Sequence, residues 1–190
     1  MIVPKLNRKI TIIIIILVLL VATGLGYYFF YWRNRVSQND VDKLTSQSQQ
    51  LVARGKLSES EQLLVGFYNA HKKMSADKKY QVTLLIANNY LAEQNSQAAL
   101  DWYKKAEATS KNGLEYATAL GIARAAQGVG NNQLAIEYYQ KTIDLAKKTP
   151  SPQNEVFIEG YQQLIIRLQN PNDPSHQYLS RPANAGQLPQ

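Results

Sequence analysis

The sequence predicts an all-α protein, in which one transmembrane helix is followed by a solenoid of about three helical hairpins and a capping helix. Three observations predict this class. Residues 80–148 contain one unit written twice, and a fixed period is typical of stacked repeats. Apolar residues recur at spacings of three and four, which is the period of an amphipathic helix. Residues 10–32 carry no charge and are long enough to cross a bilayer.

The repeat has a period of 36 residues. Each copy holds two helical patterns of about four turns, separated by a break at residues 93–96 in the first copy and 128–131 in the second. Each copy is therefore predicted to be a helical hairpin. The displacement aligns these identical residues: Tyr80 with Tyr116, Leu84 with Leu120, Ile86 with Ile122, Ala87 with Ala123, Ala99 with Ala135, and Tyr103 with Tyr139.

Residues 41–68 predict a third, degenerate hairpin that precedes the two clear copies. Gly55 marks its turn, at the place that Gly130 takes later. Two serines, Ser48 and Ser60, stand where the later copies have alanines. We therefore expect the same hairpin here in a degenerate form.

Start and stop signals place the helix ends. Ser58, with Glu61 three residues later, predicts a capping box that opens the second helix of the first hairpin. Pro150 and Pro152 end the last repeat. The amphipathic pattern over residues 156–168 then predicts a helix that covers the end of the stack.

The small and aromatic residues of each copy resemble those of the tetratricopeptide repeat. The second copy departs from the family pattern with Ala126 and Thr142, and the period is two longer than the usual 34 residues. The first copy matches the pattern of a small residue, tyrosine, alanine, an aromatic residue and alanine with Ala87, Tyr90, Ala99, Tyr103 and Ala106.

This resemblance implies a concave groove lined by the first helix of each hairpin, with the ninth position of the repeat pointing into it. Those positions hold Gln49, Asn88 and Arg124, which become the candidate partner-binding residues. Asn88 fits the family's way of gripping an extended peptide or its terminal carboxylate. Leu84 argues against the carboxylate-gripping subset, which has lysine there. The alternative is that all three are ordinary solvated residues.

Residues 10–32 form an uncharged run of 23 positions, which as a helix spans about 34 Å. The sequence therefore predicts a transmembrane helix after a short basic flank, residues 1–9, with a cleaved signal peptide as the alternative. The flanking charges nearly balance, and the short N-terminal flank ahead of the run is typical of a signal anchor, which favours a single-pass membrane protein. Its N-terminus would be cytoplasmic and its repeats extracytoplasmic.

The repeat domain is predicted to span residues 36–170, with a disordered Pro-rich tail at 171–190. The net charge of +7 does not indicate nucleic-acid binding, because from Val36 onward 16 basic residues face 14 acidic ones. The absence of cysteine excludes thiolate catalysis and zinc–thiolate sites. No residue set indicates a metal, a cofactor or catalysis, so we expect no enzyme.

The predicted function is a membrane-anchored scaffold or adaptor whose groove binds a partner peptide or subunit. Two alternatives remain open from the sequence. The chain could be a chaperone-like accessory of a secretion or envelope-assembly machine, which would bind unfolded segments. It could instead be a self-associating structural component, which would bury the groove in a dimer.

Overall fold

The computed structural model describes residues 8–33 and 35–172, which form eight α-helices and no strand. The chain divides into two compact units, Met1–Ser37 and Gln38–Gln190. Most of the predicted basic flank and tail lies outside the described residues. The helices are α1 (Arg8–Arg33), α2 (Gln38–Ala53), α3 (Leu57–Ala70), α4 (Ala76–Ala92), α5 (Ser96–Thr109), α6 (Tyr116–Gly128), α7 (Asn132–Lys147) and α8 (Pro152–Gln169).

The first unit corrects the membrane prediction. In the part of the chain that the structure describes, no helix is long and apolar enough to cross a membrane. The predicted transmembrane helix over residues 10–32 is therefore not supported. The predicted single-pass localisation is contradicted.

The second unit consists of three hairpins, α2–α3, α4–α5 and α6–α7, followed by α8. Each hairpin also packs on the next, through α3 with α4, α5 with α6 and α7 with α8. The small residues lie where two helices approach most closely, and they have no exposed surface: Ala87, Ala99, Ala123 and Ala135. The predicted pairing of helices within each copy is confirmed.

The three hairpin turns share one backbone geometry. In each, a residue in the left-handed region follows the first helix, and the next amide bonds back to a carbonyl five residues earlier. This pattern closes a helix C-terminus. The left-handed residues are Gly55 (φ 73°), Gln94 (φ 60°) and Gly130 (φ 76°), and the bonds of 2.9 Å are Lys56 N to Leu51 O, Asn95 N to Tyr90 O and Asn131 N to Ala126 O.

The helix that follows each turn is capped in two hairpins only. The side chains of Asn95 and Asn131 accept hydrogen bonds from Ala98 N and Leu134 N. In the first hairpin, Lys56 takes this place and makes no side-chain cap. The predicted capping box at Ser58 is wrong, because α3 already begins at Leu57 and a residue inside the first turn cannot adopt the extended backbone of an N-cap.

Close packing of the second hairpin on the third requires glycine at position 121. A Cβ atom on Gly121 of α6 would lie deep inside the ring of Tyr103 of α5. That ring is 1% exposed. The absent side chain therefore allows the second hairpin to insert an aromatic ring against the third.

Candidate functional site

The three candidate residues lie at matching places on the first helices of the hairpins. Gln49 on α2, Asn88 on α4 and Arg124 on α6 are all exposed, and each directly follows a buried residue. We call the side of α2, α4 and α6 that carries them the A-helix face. Any binding by these residues takes place from this face.

Asn88 and Arg124 meet around one tyrosine hydroxyl. The hydroxyl of Tyr103 donates to Asn88 Oδ1 at 2.5 Å. Burial raises the pKa of Tyr103 to about 12, and the charge of Arg124 opposes part of that rise. The hydroxyl is therefore a neutral donor at physiological pH. Residues from successive hairpins thus come together at its tip.

Tyr139 repeats this arrangement one hairpin later. Its hydroxyl donates to Gln127 Oε1 at 2.8 Å. Burial raises the pKa of Tyr139, and Arg124 again opposes the rise. The positive charge of Arg124 therefore acts on two tyrosine hydroxyls, those of Tyr103 and Tyr139, which belong to different hairpins.

Tyr161 brings α8 to the same place. Its ring stacks on that of Tyr139, with centroids 5.7 Å apart, and its hydroxyl lies 2.9 Å from that of Tyr116. Burial raises the pKa of Tyr161, the contact with Tyr116 raises it further, and the Arg124 charge lowers it. We call the group of Asn88, Tyr103, Arg124, Gln127, Tyr139 and Tyr161 the Arg124 site.

The Arg124 site offers hydrogen-bond donors. Since tyrosine hydroxyls occupy Asn88 Oδ1 and Gln127 Oε1, the amide nitrogens of both side chains are directed to other partners. Arg124 makes no hydrogen bond or ion pair within residues 35–172. Guanidinium and amide donors together favour a ligand rich in acceptors, such as a carboxylate or a peptide carbonyl.

Gln49 is not part of this group. It is exposed on α2, and no hydrogen bond among the described residues links it to Asn88 or Arg124. Its role as a partner-binding residue therefore stays a prediction that rests on its repeat position alone.

Sequence reasoning missed the tyrosines of the site. Tyr103 and Tyr139 matched the repeat pattern and were assigned to the core, which their rings confirm at 1% and 2% exposure. A buried tyrosine usually requires a partner for its hydroxyl. The signal was therefore present, because a search for that partner on the facing helix leads to Asn88 and Gln127.

Comparisons with known proteins support the fold. No protein-family model matches the chain, and no curated protein sequence matches it. The chain is similar to PcrH in the crystal structure of PcrH in complex with the chaperone binding region of PopD. The TM-score is 0.58 at 13% identity, over 73% of this chain and 97% of that chain. This likeness confirms the predicted all-α, tetratricopeptide-like helical repeat fold.

Proposed function

We propose that this protein is an interaction adaptor that binds an extended segment of a partner protein on its A-helix face. The observation that carries the proposal is the Arg124 site, where an exposed guanidinium and two directed amide groups interact with the same two buried tyrosines, Tyr103 and Tyr139. An acidic side chain or a C-terminal carboxylate of the partner binds the guanidinium of Arg124. Backbone carbonyls of the same segment accept from Asn88 and Gln127.

The arrangement favours a peptide over a small charged metabolite. The donors come from α4 and α6, so a ligand that reaches all of them must run across the helices. An extended chain advances about 3.3 Å per residue and carries a carbonyl at every step. It meets successive donors without a specific sequence, while Arg124 selects for negative charge.

A second candidate is a chaperone-like function, in which the A-helix face holds an unfolded client. The observation that favours it is the structural likeness to PcrH, a protein whose structure was solved in complex with the chaperone binding region of PopD. An adaptor binds one or a few folded partners through an exposed segment. A chaperone-like protein binds its client before that client folds. Self-association and the absence of enzymatic activity remain untested predictions.

The test is site-specific photo-crosslinking in living cells. The photoreactive residue p-benzoylphenylalanine replaces Gln49, which lies on the A-helix face, or Lys104, an exposed control on α5. We expect discrete crosslinked products from position 49 and none from position 104. Identical products from both positions would refute binding at this face.

Charge reversal then tests the role of Arg124 in the same assay. Arg124→Glu turns attraction for an acidic group into repulsion, so we expect the position-49 product to fall at least tenfold. Lys104→Glu is the matched control and leaves the product unchanged. If Arg124→Glu retains the product while the protein stays folded, the donor site has no part in binding.

The crosslinked partner separates the two candidates. Pulse labelling of the partner shows whether the crosslinked product contains newly made or mature partner. A chaperone-like function predicts that the product forms with newly made partner and disappears as the partner matures. An adaptor predicts a constant yield with mature partner.

A further inference from the structure

The last helix, α8, repeats the register of α6. Both helices begin one residue after their N-caps, Glu115 and Ser151, which are 36 residues apart. Each helix also turns the corresponding side toward the preceding hairpin. In α6 this side carries Thr118, whose hydroxyl lies 2.9 Å from that of Tyr80; in α8 it carries Tyr161, stacked on Tyr139. Each residue of α6 therefore corresponds to the residue of α8 that follows it by 36 positions, and the two lie on corresponding sides of their helices.

The side of α8 that would contact a further helix is polar. In α6 the side facing its own hairpin partner holds three fully buried alanines, Ala119, Ala123 and Ala126. The matching residues of α8 are exposed and carry charge or an amide: Glu155, Glu159 and Gln162. Such a side resists the addition of another helix or the stacking of a second copy end to end.

The side of α8 that continues the A-helix face carries two exposed apolar side chains instead. Val156, which corresponds to Leu120, is 67% exposed, and its neighbour Phe157 is 50% exposed. Gly160 corresponds to Arg124, and no atom lies within 4 Å of the position that a Cβ would take there. Two large apolar side chains on α8 thus border open space, one hairpin further along the stack than the guanidinium on α6. Solvent exposure of both is unfavourable without a ligand.

We infer that α8 forms an apolar subsite of the A-helix face, in which Val156 and Phe157 receive a large apolar side chain of the bound segment over Gly160. The inference rests on the proposed function and specifies its ligand. The partner segment carries an acidic group at Arg124 and an aliphatic or aromatic residue nearby. Since α7 lies between α6 and α8 in the chain and an extended segment advances about 3.3 Å per residue, the two groups are several residues apart.

The end of the stack thereby combines two roles on different sides of one helix. The polar side with Glu155 and Glu159 ends the solenoid, and the apolar side extends the binding face. A second copy of the chain is disfavoured as the occupant, because the polar side faces the direction of stacking. An acidic, partly apolar segment matches both the free guanidinium and the uncovered side chains.

The experiment uses the full chain and a synthetic array of random peptides of roughly 12 residues, long enough to span about 40 Å when extended. We expect bound peptides to be enriched in Asp or Glu, with a large apolar residue at a fixed separation of several positions. The variant Val156→Ser/Phe157→Ser should lose the apolar preference and keep the acidic one. Arg124→Gln should do the reverse.

Affinity measurements then quantify the subsite with one selected peptide. Loss of contacts to one buried apolar side chain corresponds to roughly a tenfold or larger rise in Kd for Val156→Ser/Phe157→Ser. Ile166→Ser is the matched control, since Ile166 is 44% exposed on the polar side of the same helix. It should change Kd less than about twofold. Circular dichroism confirms that all variants keep their helix content.

The outcomes separate the two proposals. If wild-type protein selects acidic peptides through Arg124, but its apolar preference is absent or survives Val156→Ser/Phe157→Ser, the subsite is refuted and the proposed function stands. If Arg124→Gln selects the same peptides as wild type, the proposed function itself fails. An equal loss of affinity in Ile166→Ser would mean that α8 contributes through its general stability, which also refutes the subsite.

Discussion

The first hairpin and the third hairpin follow the same plan but differ in how much they bury. Helices α6 and α7 bury seven and six residues, whereas α2 and α3 bury three and two. Among those in the first hairpin are Ser48 and Ser60, whose hydroxyls lie 2.9 Å apart. A solenoid is stabilised by its separate units and their contacts, so the difference makes the first hairpin the weak end of the stack.

The position of the proposed binding residues follows this difference. Asn88, Arg124 and two of the tyrosines around them belong to α4 through α7, where the packing is dense, and only Tyr161 comes from α8. Gln49, on the sparsely packed hairpin, has no contact with that group. A rigid scaffold holds donors in place at low entropic cost, which favours a site on the well-packed part of the stack.

The largest expected effect comes from Gly121, which marks the close packing of the second hairpin on the third. Gly121→Ala places a methyl group inside the Tyr103 ring and should lower the free energy of unfolding by about 2 to 3 kcal/mol. Gly66→Ala in α3 is the matched control, because no atom lies within 4 Å of its Cβ position. It should raise stability by about 0.5–1 kcal/mol. Urea unfolding of the full chain measures both, and similar values would remove the proposed difference in packing.

The serine pair tests how the first hairpin replaces the alanine contact. Ser48→Ala leaves the buried Ser60 hydroxyl without its partner and should cost about 1–2 kcal/mol, and Ser60→Ala should do the same to Ser48. The double variant removes both hydroxyls and should return close to wild-type stability. A double-mutant cycle from urea unfolding gives the coupling energy. Additive losses would show that the hydroxyls do not act as a pair.

Alkaline pH should weaken the later hairpins selectively, because they hold the buried tyrosines. The pKa of Tyr103 is raised to about 12 by burial. Its contribution to stability is therefore complete below the ordinary value near 10 and is lost as the pH rises toward 12. We expect a loss of about 1 kcal/mol from this residue between pH 10 and 11. Tyr103→Phe should reduce the slope of stability against pH, and an unchanged slope would contradict the assignment.

The smallest effect concerns the missing cap of the first hairpin. Lys56 has φ −92° and ψ 58°, close to the φ −83° and ψ 72° of the capping residue Asn95. Lys56→Asn should therefore add a side-chain cap to α3 and raise stability by about 0.5–1 kcal/mol. Lys56→Gln is the control for lost charge, since the exposed ion pair with Glu59 contributes little. Equal melting temperatures for both variants would mean that no cap forms.

Sequence reasoning predicted the hairpins because their period and turns are local. Gly55 and Gly130 mark turns that the backbone confirms with positive φ values of 73° and 76°. The end of α3 nearest the turn was predicted less well, because Ser58 and Glu61 match a capping pattern that the turn at Gly55 makes unnecessary. The hydrogen-bonded backbone of the turn determines the residue at which the next helix begins, whether or not a capping side chain is present.

The site was less predictable, because it depends on contacts between hairpins. Repeat position alone led to Asn88 and Arg124. The directed orientation of the Asn88 amide and the neighbours of Arg124 come from tyrosines 15 to 37 residues away. The apolar side of α8 was equally hidden, since an amphipathic pattern does not tell which apolar residues remain uncovered. Membrane insertion was predicted from the uncharged run and its flanks, and the described residues do not support it.

The most direct test of the central claim is hydrogen exchange of the full chain with and without an array-selected peptide. We expect amides of α2 and α3 to exchange faster than those of α4 to α7 in the free protein. The peptide should slow exchange most in α4, α6 and α8, less in α2, and leave α3 unchanged. Uniform exchange across the three hairpins, or protection centred on α2 and α3, would contradict a binding site carried by the well-packed part of the stack.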